Sequence, residues 1–273
     1  MRLVADEAVV DALVAAGLLA DLPVERLRGA EPTPFPGRGR PSRLRIGGAS
    51  LIVKTLRHGG LAGPLLGASF RGARRLLEAV ELAQLLLARG GATARPAFAR
   101  IRAGALPGLS RLELATFEIE GARDAASYLA VEPEPRAHRA AIRACGAAVR
   151  ALHEAGIRHA DLNLKNLLVV PGSEARAFVV DLERSTLPRP LLPRHRVENL
   201  ARLLRSTEKL ALLGPVVTRR DLVRFLAAYE PGARRELFAA VARHHAARAP
   251  WHRAAWRLTG RSANRRAAEP APG

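Results

Sequence analysis

The chain has 273 residues, enough to bury a sizeable core, and a single two-lobed domain suits that length better than two independent ones. Apolar residues make up 48% of it and charged residues 25%, which excludes a disordered or fibrous chain. One cysteine, Cys145, excludes an internal disulfide framework and suits a reducing compartment, while a formal net charge of +19 favours anionic partners.

Only three of the 44 basic residues are Lys (Lys54, Lys165 and Lys209), an Arg bias that points to a GC-rich coding sequence as much as to function. Its distribution is more telling: residues 1–37 carry three Arg against six acids, and residues 233–273 carry nine Arg against two acids. A basic C-terminal region suits phospholipid or lipopolysaccharide. Nucleic acid is disfavoured, because 4% aromatics are too few for base-stacking platforms and no helix-turn-helix or zinc-finger spacing is present. No apolar run approaches the ~20 residues of a membrane span. Asp11 interrupts the first apolar stretch, which therefore lacks the charge-free centre of a secretory signal, and a cytoplasmic location is expected.

In chain order, residues 1–30 are apolar-periodic and predict one helix with a loose turn after Gly17. The Pro- and Gly-rich residues 31–41 break it. Arg43–Ile46 and Ser50–Thr55 then predict a hairpin turning at Gly47-Gly48-Ala49. Residues 69–89 have helical spacing, with Leu76, Leu77, Val80, Leu82, Leu85 and Leu86 on a broad apolar face, and strands follow at Ala97–Arg102 and Leu112–Ile119. After Val131-Glu132-Pro133-Glu134-Pro135, residues 136–155 predict a strong helix ending at Gly156. Short strands are expected at Leu167–Val170 and Ala177–Asp181, and a helical pattern from His195 onward. The expected architecture is α+β and bilobal: an N-terminal helical extension (1–34), a small β-rich N-lobe with one long helix (35–121), a larger, mostly helical C-lobe (122–263) and a disordered tail (264–273).

The chemistry concentrates in His159-Ala160-Asp161-Leu162-Asn163-Leu164-Lys165-Asn166, which reads H-x-D-L-x-x-x-N and is similar to the catalytic loop of the protein-kinase fold. Phosphoryl transfer needs an acceptor hydroxyl held in line and metal ions held on the phosphates. Asp161 has the spacing of the base that orients the hydroxyl, and Asn166 that of a magnesium ligand; the plainer alternative is a helix cap and a turn residue. Asp181 ends the apolar run Phe178-Val179-Val180, where the second metal ligand belongs. His159 is expected to brace the loop, with Asn163 and Lys165 near the transferred group. Lys54 ends the strand Leu51-Ile52-Val53 and has the place of the lysine that reaches the ATP phosphates. Its helical partner is Glu81 or, three residues away on nearly the same face, Glu78; Glu81 is preferred. Gly37 and Gly39 stand where a phosphate-covering loop would lie, although a plain loop explains them equally well. Cys145 reads as a buried structural residue, and His244, His245 and His252 as surface or interface rather than a metal site.

Taken together, Gly37-Arg38-Gly39, Lys54…Arg57-His58-Gly59-Gly60, the catalytic loop and Asn199-Leu200-Ala201-Arg202-Leu203-Leu204-Arg205-Ser206…Lys209 resemble the bacterial lipopolysaccharide kinase family, and within it the branch acting on Kdo (3-deoxy-D-manno-octulosonic acid). The resemblance implies ATP and Mg2+, a Kdo–lipid A or related anionic glycolipid acceptor, and a peripheral position on the cytoplasmic face of the inner membrane. Trp251 and Trp256, in the basic C-terminal region, suit either such a surface or a closed core. Asp181-Leu182-Glu183 departs from the Asp-Phe-Gly of protein kinases, which argues against their regulatory swing. Competing expectations are a kinase for heptose or an aminoglycoside-like acceptor, and a catalytically silent kinase-fold scaffold on the membrane.

Overall fold

A computed structural model describes residues 2–20, 22, 24–27, 33–34, 41–57, 67–104, 107–131, 134–211 and 217–247. The small lobe is built on one antiparallel sheet, with β1 (Arg2–Ala5), β2 (Thr33–Pro34), β3 (Ser42–Ile46), β4 (Ala49–Thr55), β5 (Pro96–Ala103) and β6 (Ser110–Phe117) in the order β1-β5-β6-β4-β3-β2. The β3–β4 hairpin turns at Gly47 and Gly48, both at positive φ, as their missing Cβ allows.

The N-terminal segment differs from the single helix expected. Arg2–Ala5 pairs with β5 as an edge strand, and only α1 (Val10–Ala15) and a short 3-10 turn at Val24–Arg26 are helical. The apolar residues that suggested a long helix still do the burying: Val9, Leu13, Leu18, Val24 and Leu27 cover one face of the sheet against Leu51, Val53 and Phe98. Arg100 of β5 joins the two layers. It is completely buried, its Nε donates to Glu113 at 2.8 Å, and its terminal nitrogens donate to the Leu18 and Leu22 carbonyls at 3.0 Å each. Those carbonyls follow α1, where no backbone partner continues the ladder, so one guanidinium satisfies a loop that would otherwise be costly to bury.

The long helix of the small lobe, α2 (Arg74–Ala88), is shared between lobes. Leu76 and Val80 pack under the sheet with Leu56, Phe70, Ala99 and Leu112, whereas Leu82, Ala83 and Leu86 belong to the large-lobe core. Leu77, on the expected apolar face, is exposed.

Beyond β6 come β7 (Arg123–Asp124), α3 (Ala125–Val131) and α4 (Pro135–Glu154). Glu134 caps α4 by accepting from the Arg136 and Ala137 amides, and Pro135 takes the first position, where its missing N–H is no loss. Gly156, at φ 77, stops the helix with the Ile157 amide returned to the Leu152 carbonyl at 3.1 Å. A 3-10 turn (Leu164–Asn166) leads into β8 (Leu167–Val170) and β9 (Arg176–Val179), which complete a three-stranded sheet with β7. Then follow α5 (Pro193–Ala211), α6 (Arg219–Tyr229) and a helix α7 over residues 234–247. Gly146 lets α4 and α6 approach closely: a Cβ there would lie 2.4 Å from the Phe225 carbonyl oxygen.

Replacing Arg100 with Met is expected to destabilise the protein by about 3 kcal/mol, because Glu113 keeps a buried charge and two carbonyls lose their donors. The urea midpoint reads this directly; an unchanged midpoint would show that the link contributes nothing.

Candidate active site

Strand alternation places Lys54. Leu51 and Val53 are buried under the N-terminal layer, so Lys54, the next residue, projects from the other face of β4. There its Nζ lies 3.0 Å from Asp181 Oδ1 and 2.9 Å from Glu183 Oε1. Burial pulls the Lys54 pKa down, but the charges of Glu183 and Asp181 outweigh it and the pKa is raised, so Lys54 is a cation at neutral pH.

Both carboxylates come from the segment after β9. Asp181 has φ 65, the one positive-φ residue other than Gly among the described residues, at a cost of about 1 kcal/mol. Neighbouring bonds impose it: the Val180 amide donates to the Asn166 carbonyl at 3.0 Å, the Ser185 amide to the Leu182 carbonyl at 2.9 Å, and Leu182 is sunk in the large-lobe core. With Leu182 anchored, the carboxylates on either side of it converge on Lys54.

The H-x-D-L-x-x-x-N loop folds on itself around the Asp161 carbonyl, which accepts from Asn166 Nδ2 at 2.8 Å and from Asn163 Nδ2 at 2.9 Å. Asn163 Oδ1 in turn caps the 3-10 turn by accepting from the Lys165 amide at 2.9 Å. Asn166 therefore spends its amide nitrogen inside the loop and keeps its side-chain oxygen for another partner. The Asp161 carboxylate is 65% exposed, the Lys165 side chain is exposed, and Arg202 NH1 of α5 stands 3.7 Å from Asp161 Oδ1.

His159 is buried and takes no exposed position. Its Nδ1 accepts from the Asp161 amide at 3.0 Å, which leaves the proton on Nε2 to donate to the Val180 carbonyl at 3.0 Å. Burial lowers its pKa, keeping it neutral in that tautomer. Asn199 of α5 holds the loop from behind: Oδ1 accepts from the His159 amide at 2.9 Å and Nδ2 donates to its carbonyl at 2.8 Å. Asn199 Oδ1 also accepts from His153 Nε2 at 3.0 Å, and His153 Nδ1 accepts from the Tyr229 hydroxyl at 2.7 Å. Burial drives the His153 pKa down to about 4 and the Tyr229 pKa up to about 12, both in the sense that preserves this neutral chain.

The sequence-predicted residues thus divide. Lys54 and Asp181 come together, as do Asp161 and Asn166 within one loop. Glu81 does not join them: it is exposed on α2, and Glu78 is engaged at the surface with Arg74 at 2.6 Å. Helical phase explains the correction, since the face of α2 buried under the sheet and against the large lobe brings Arg75, not a Glu, to the site, where its NH2 meets Glu183 Oε2 at 3.3 Å. Gly37 and Gly39, between β2 and β3, lie outside the described residues, as do His58, Gly59, Gly60, Trp251, His252, Trp256 and the tail 264–273. His245 Nε2 is 2.8 Å from Glu208 of α5. Cys145 is fully enclosed beside a cavity of about 60 Å³ lined by residues such as Leu203 and Phe225, and burial pushes its thiol up to about 12. Sequence reasoning missed Glu183 and Arg75 as parts of the site and singled out Asn199 and Arg202 only as members of a family-like motif, without a role; the acidic third residue of Asp-Leu-Glu was the one signal available for Glu183.

The Asp181 carboxylate and the Asn166 side-chain oxygen are hard oxygen donors of the kind magnesium takes when phosphates fill the rest of its shell, so these residues fit that ion. A small antiparallel sheet with one helix, a lysine paired across to an aspartate, and an Asp–Asn loop on the larger helical lobe are the parts of a kinase-like phosphotransferase. The model of the lipopolysaccharide kinase (Kdo/WaaP) family matches residues 65–229, and the chain belongs to that family. It is 27% identical over 180 residues to the 3-deoxy-D-manno-octulosonic acid kinase of Vibrio parahaemolyticus serotype O3:K6 (strain RIMD 2210633), covering 63% of this chain and 71% of that protein. It is also similar to a solved structure of WaaP in complex with acyl carrier protein, at 26% identity and a TM-score of 0.60, covering 90% of this chain and 98% of that one.

The neutral His153 makes stability pH-dependent. Unfolded, the imidazole takes a proton near pH 6.5; folded, it resists until about pH 4. Its contribution is therefore complete above about pH 6.5 and is lost as pH falls towards 4, amounting to about 3 kcal/mol at the end of that window. Melting temperatures between pH 7 and pH 4 should fall more steeply for the natural protein than for His153→Gln; parallel curves would contradict the assignment.

Proposed function

We propose that the protein transfers the γ-phosphoryl group of ATP to a hydroxyl of Kdo on lipid A, during assembly of the lipopolysaccharide core. The observation that carries the reading is the loop geometry: Asn166 and Asn163 fix the Asp161 backbone at 2.8 and 2.9 Å, while the Asp161 carboxylate itself stays exposed for an acceptor. Membership of the Kdo/WaaP family supports the lipopolysaccharide acceptor, and likeness to the Vibrio kinase supports Kdo.

In this reading Asp161 aligns the sugar hydroxyl and accepts its proton as the hydroxyl oxygen attacks the γ-phosphorus; the bond to the β–γ bridging oxygen breaks and ADP departs. Lys54 steadies the phosphates of the nucleotide. Asp181 and Asn166 would hold magnesium, which offsets the negative charge of the phosphates. The exposed guanidinium of Arg202, next to Asp161, suits an acceptor bearing carboxylate and phosphate groups. No helix among the described residues is long and apolar enough to cross a membrane, and the proposed meeting with a lipid-borne acceptor is peripheral, at the cytoplasmic face of the inner membrane.

The test is transfer of labelled γ-phosphate from magnesium-ATP to purified Kdo–lipid A. Wild type should label the glycolipid, and Asp161→Ala should lower kcat by about 10²–10⁴-fold without shifting the melting temperature. A variant at the wild-type rate would sink the mechanism. ATP binding without transfer to Kdo–lipid A would sink the acceptor, and the same assay on heptose-containing core would then be decisive.

A further inference from the structure

The ammonium of Lys54 is held by two carboxylates, and they are not equivalent. Asp181 is 36% exposed in its side chain and has the oxygen donors suited to a metal ion, whereas the Glu183 side chain is 6% exposed. A carboxylate that ligates a cation cannot give the same share of its charge to a lysine. The anchor that remains is Glu183, whose two oxygens face two different cations: Oε1 meets Lys54 at 2.9 Å and Oε2 meets Arg75 at 3.3 Å.

Arg75 is itself fixed. Its NH1 donates to the Arg57 carbonyl at 3.2 Å and its guanidinium lies 5.3 Å from the Phe70 ring centre. Phe70 belongs to the core beneath the sheet, and Leu76 and Leu86 of the same helix are completely buried on the sheet side and the large-lobe side. The charges are thus reversed relative to a lysine paired with a helix glutamate. The helix supplies a cation, and the anion comes from the large lobe two residues after Asp181.

We propose that Glu183, steered by Arg75, is the positioning residue that fixes Lys54 for the phosphates of the nucleotide, in place of a carboxylate on α2. This rests on the reading of Lys54 as the phosphate-contacting lysine. Because Leu182 anchors the turn in the core, the anchor is built in whenever the large lobe is folded. Lys54 is then ready without any rotation of α2, unlike a site completed by a swinging helix.

The readout is the split between KM and kcat, because a residue that only supported the fold would not weaken ATP binding selectively. In the transfer assay, Glu183→Gln should raise KM for ATP by about 10–100-fold, as the loss of a charged hydrogen bond implies. kcat should fall less. Arg75→Met should raise KM in the same direction by a smaller factor, and it carries the test if Glu183→Gln fails to fold. Glu78→Gln, which loses only a surface pair with Arg74, should match wild type throughout. A KM for ATP unchanged in Glu183→Gln overturns the proposal. If Lys54→Ala loses transfer in that case, the phosphate reading of Lys54 stands alone; if Lys54→Ala is also unaffected, that reading falls as well.

Discussion

Everything at the centre of this protein depends on one contact between lobes: the ammonium on β4 set against the carboxylates that follow β9. There a charged side chain of the small sheet meets two carboxylates of the large lobe, at 3.0 and 2.9 Å. An exposed ion pair contributes little to stability, but this cluster includes a nearly buried glutamate between two cations. Removing Glu183 takes from Arg75 its carboxylate partner and leaves Lys54 with Asp181 alone. The geometry is accordingly much better defined than its net stabilisation would suggest, and definition is what an in-line transfer requires.

That contact is held in place by neutral groups. His159 ties the loop to the backbone at Val180, and Asn199 grips the His159 peptide on both sides, backed by His153 and Tyr229. Three helices and the segment after β9 therefore report to one loop through a chain of uncharged hydrogen bonds. Such a network behaves as a unit, since each member lacks an alternative partner once buried. The left-handed backbone at Asp181 is affordable only because this surrounding structure over-determines it.

Much of this was legible in the sequence, for specific reasons. The β3–β4 hairpin follows from Gly47-Gly48 between alternating strands, and α4 from its apolar period with Pro135 and Gly156 at its ends. The family resemblance stood on short, spaced motifs rather than on similarity along the whole chain. The N-terminal strand was not legible, because an edge strand of four residues against β5 leaves no periodic mark distinguishable from the helix beside it. The partner of Lys54 was missed for a related reason. Helical spacing gives which residues share a face, but not which face a helix turns to a cleft, and α2 is buried on two sides. Asn199 illustrates a third limit: its motif marked the segment, but that its side chain clamps a peptide 40 residues away is a tertiary fact with no local signature.

The same division separates the two halves of the site. On the nucleotide side the charges are paired among themselves, and the elements presenting them are pinned in the core through Leu182, Leu86 and Leu76. On the acceptor side Asp161 is 65% exposed, and Arg202 stands at 3.7 Å, beyond hydrogen-bond length, so its donors are not consumed by the carboxylate. A guanidinium in that state can turn to an anionic group by giving up a loose ion pair but no direct hydrogen bond to Asp161. In the proposed reading, rigidity is concentrated on the side that would hold the nucleotide, and a partly exposed cation stands on the side that would meet the acceptor.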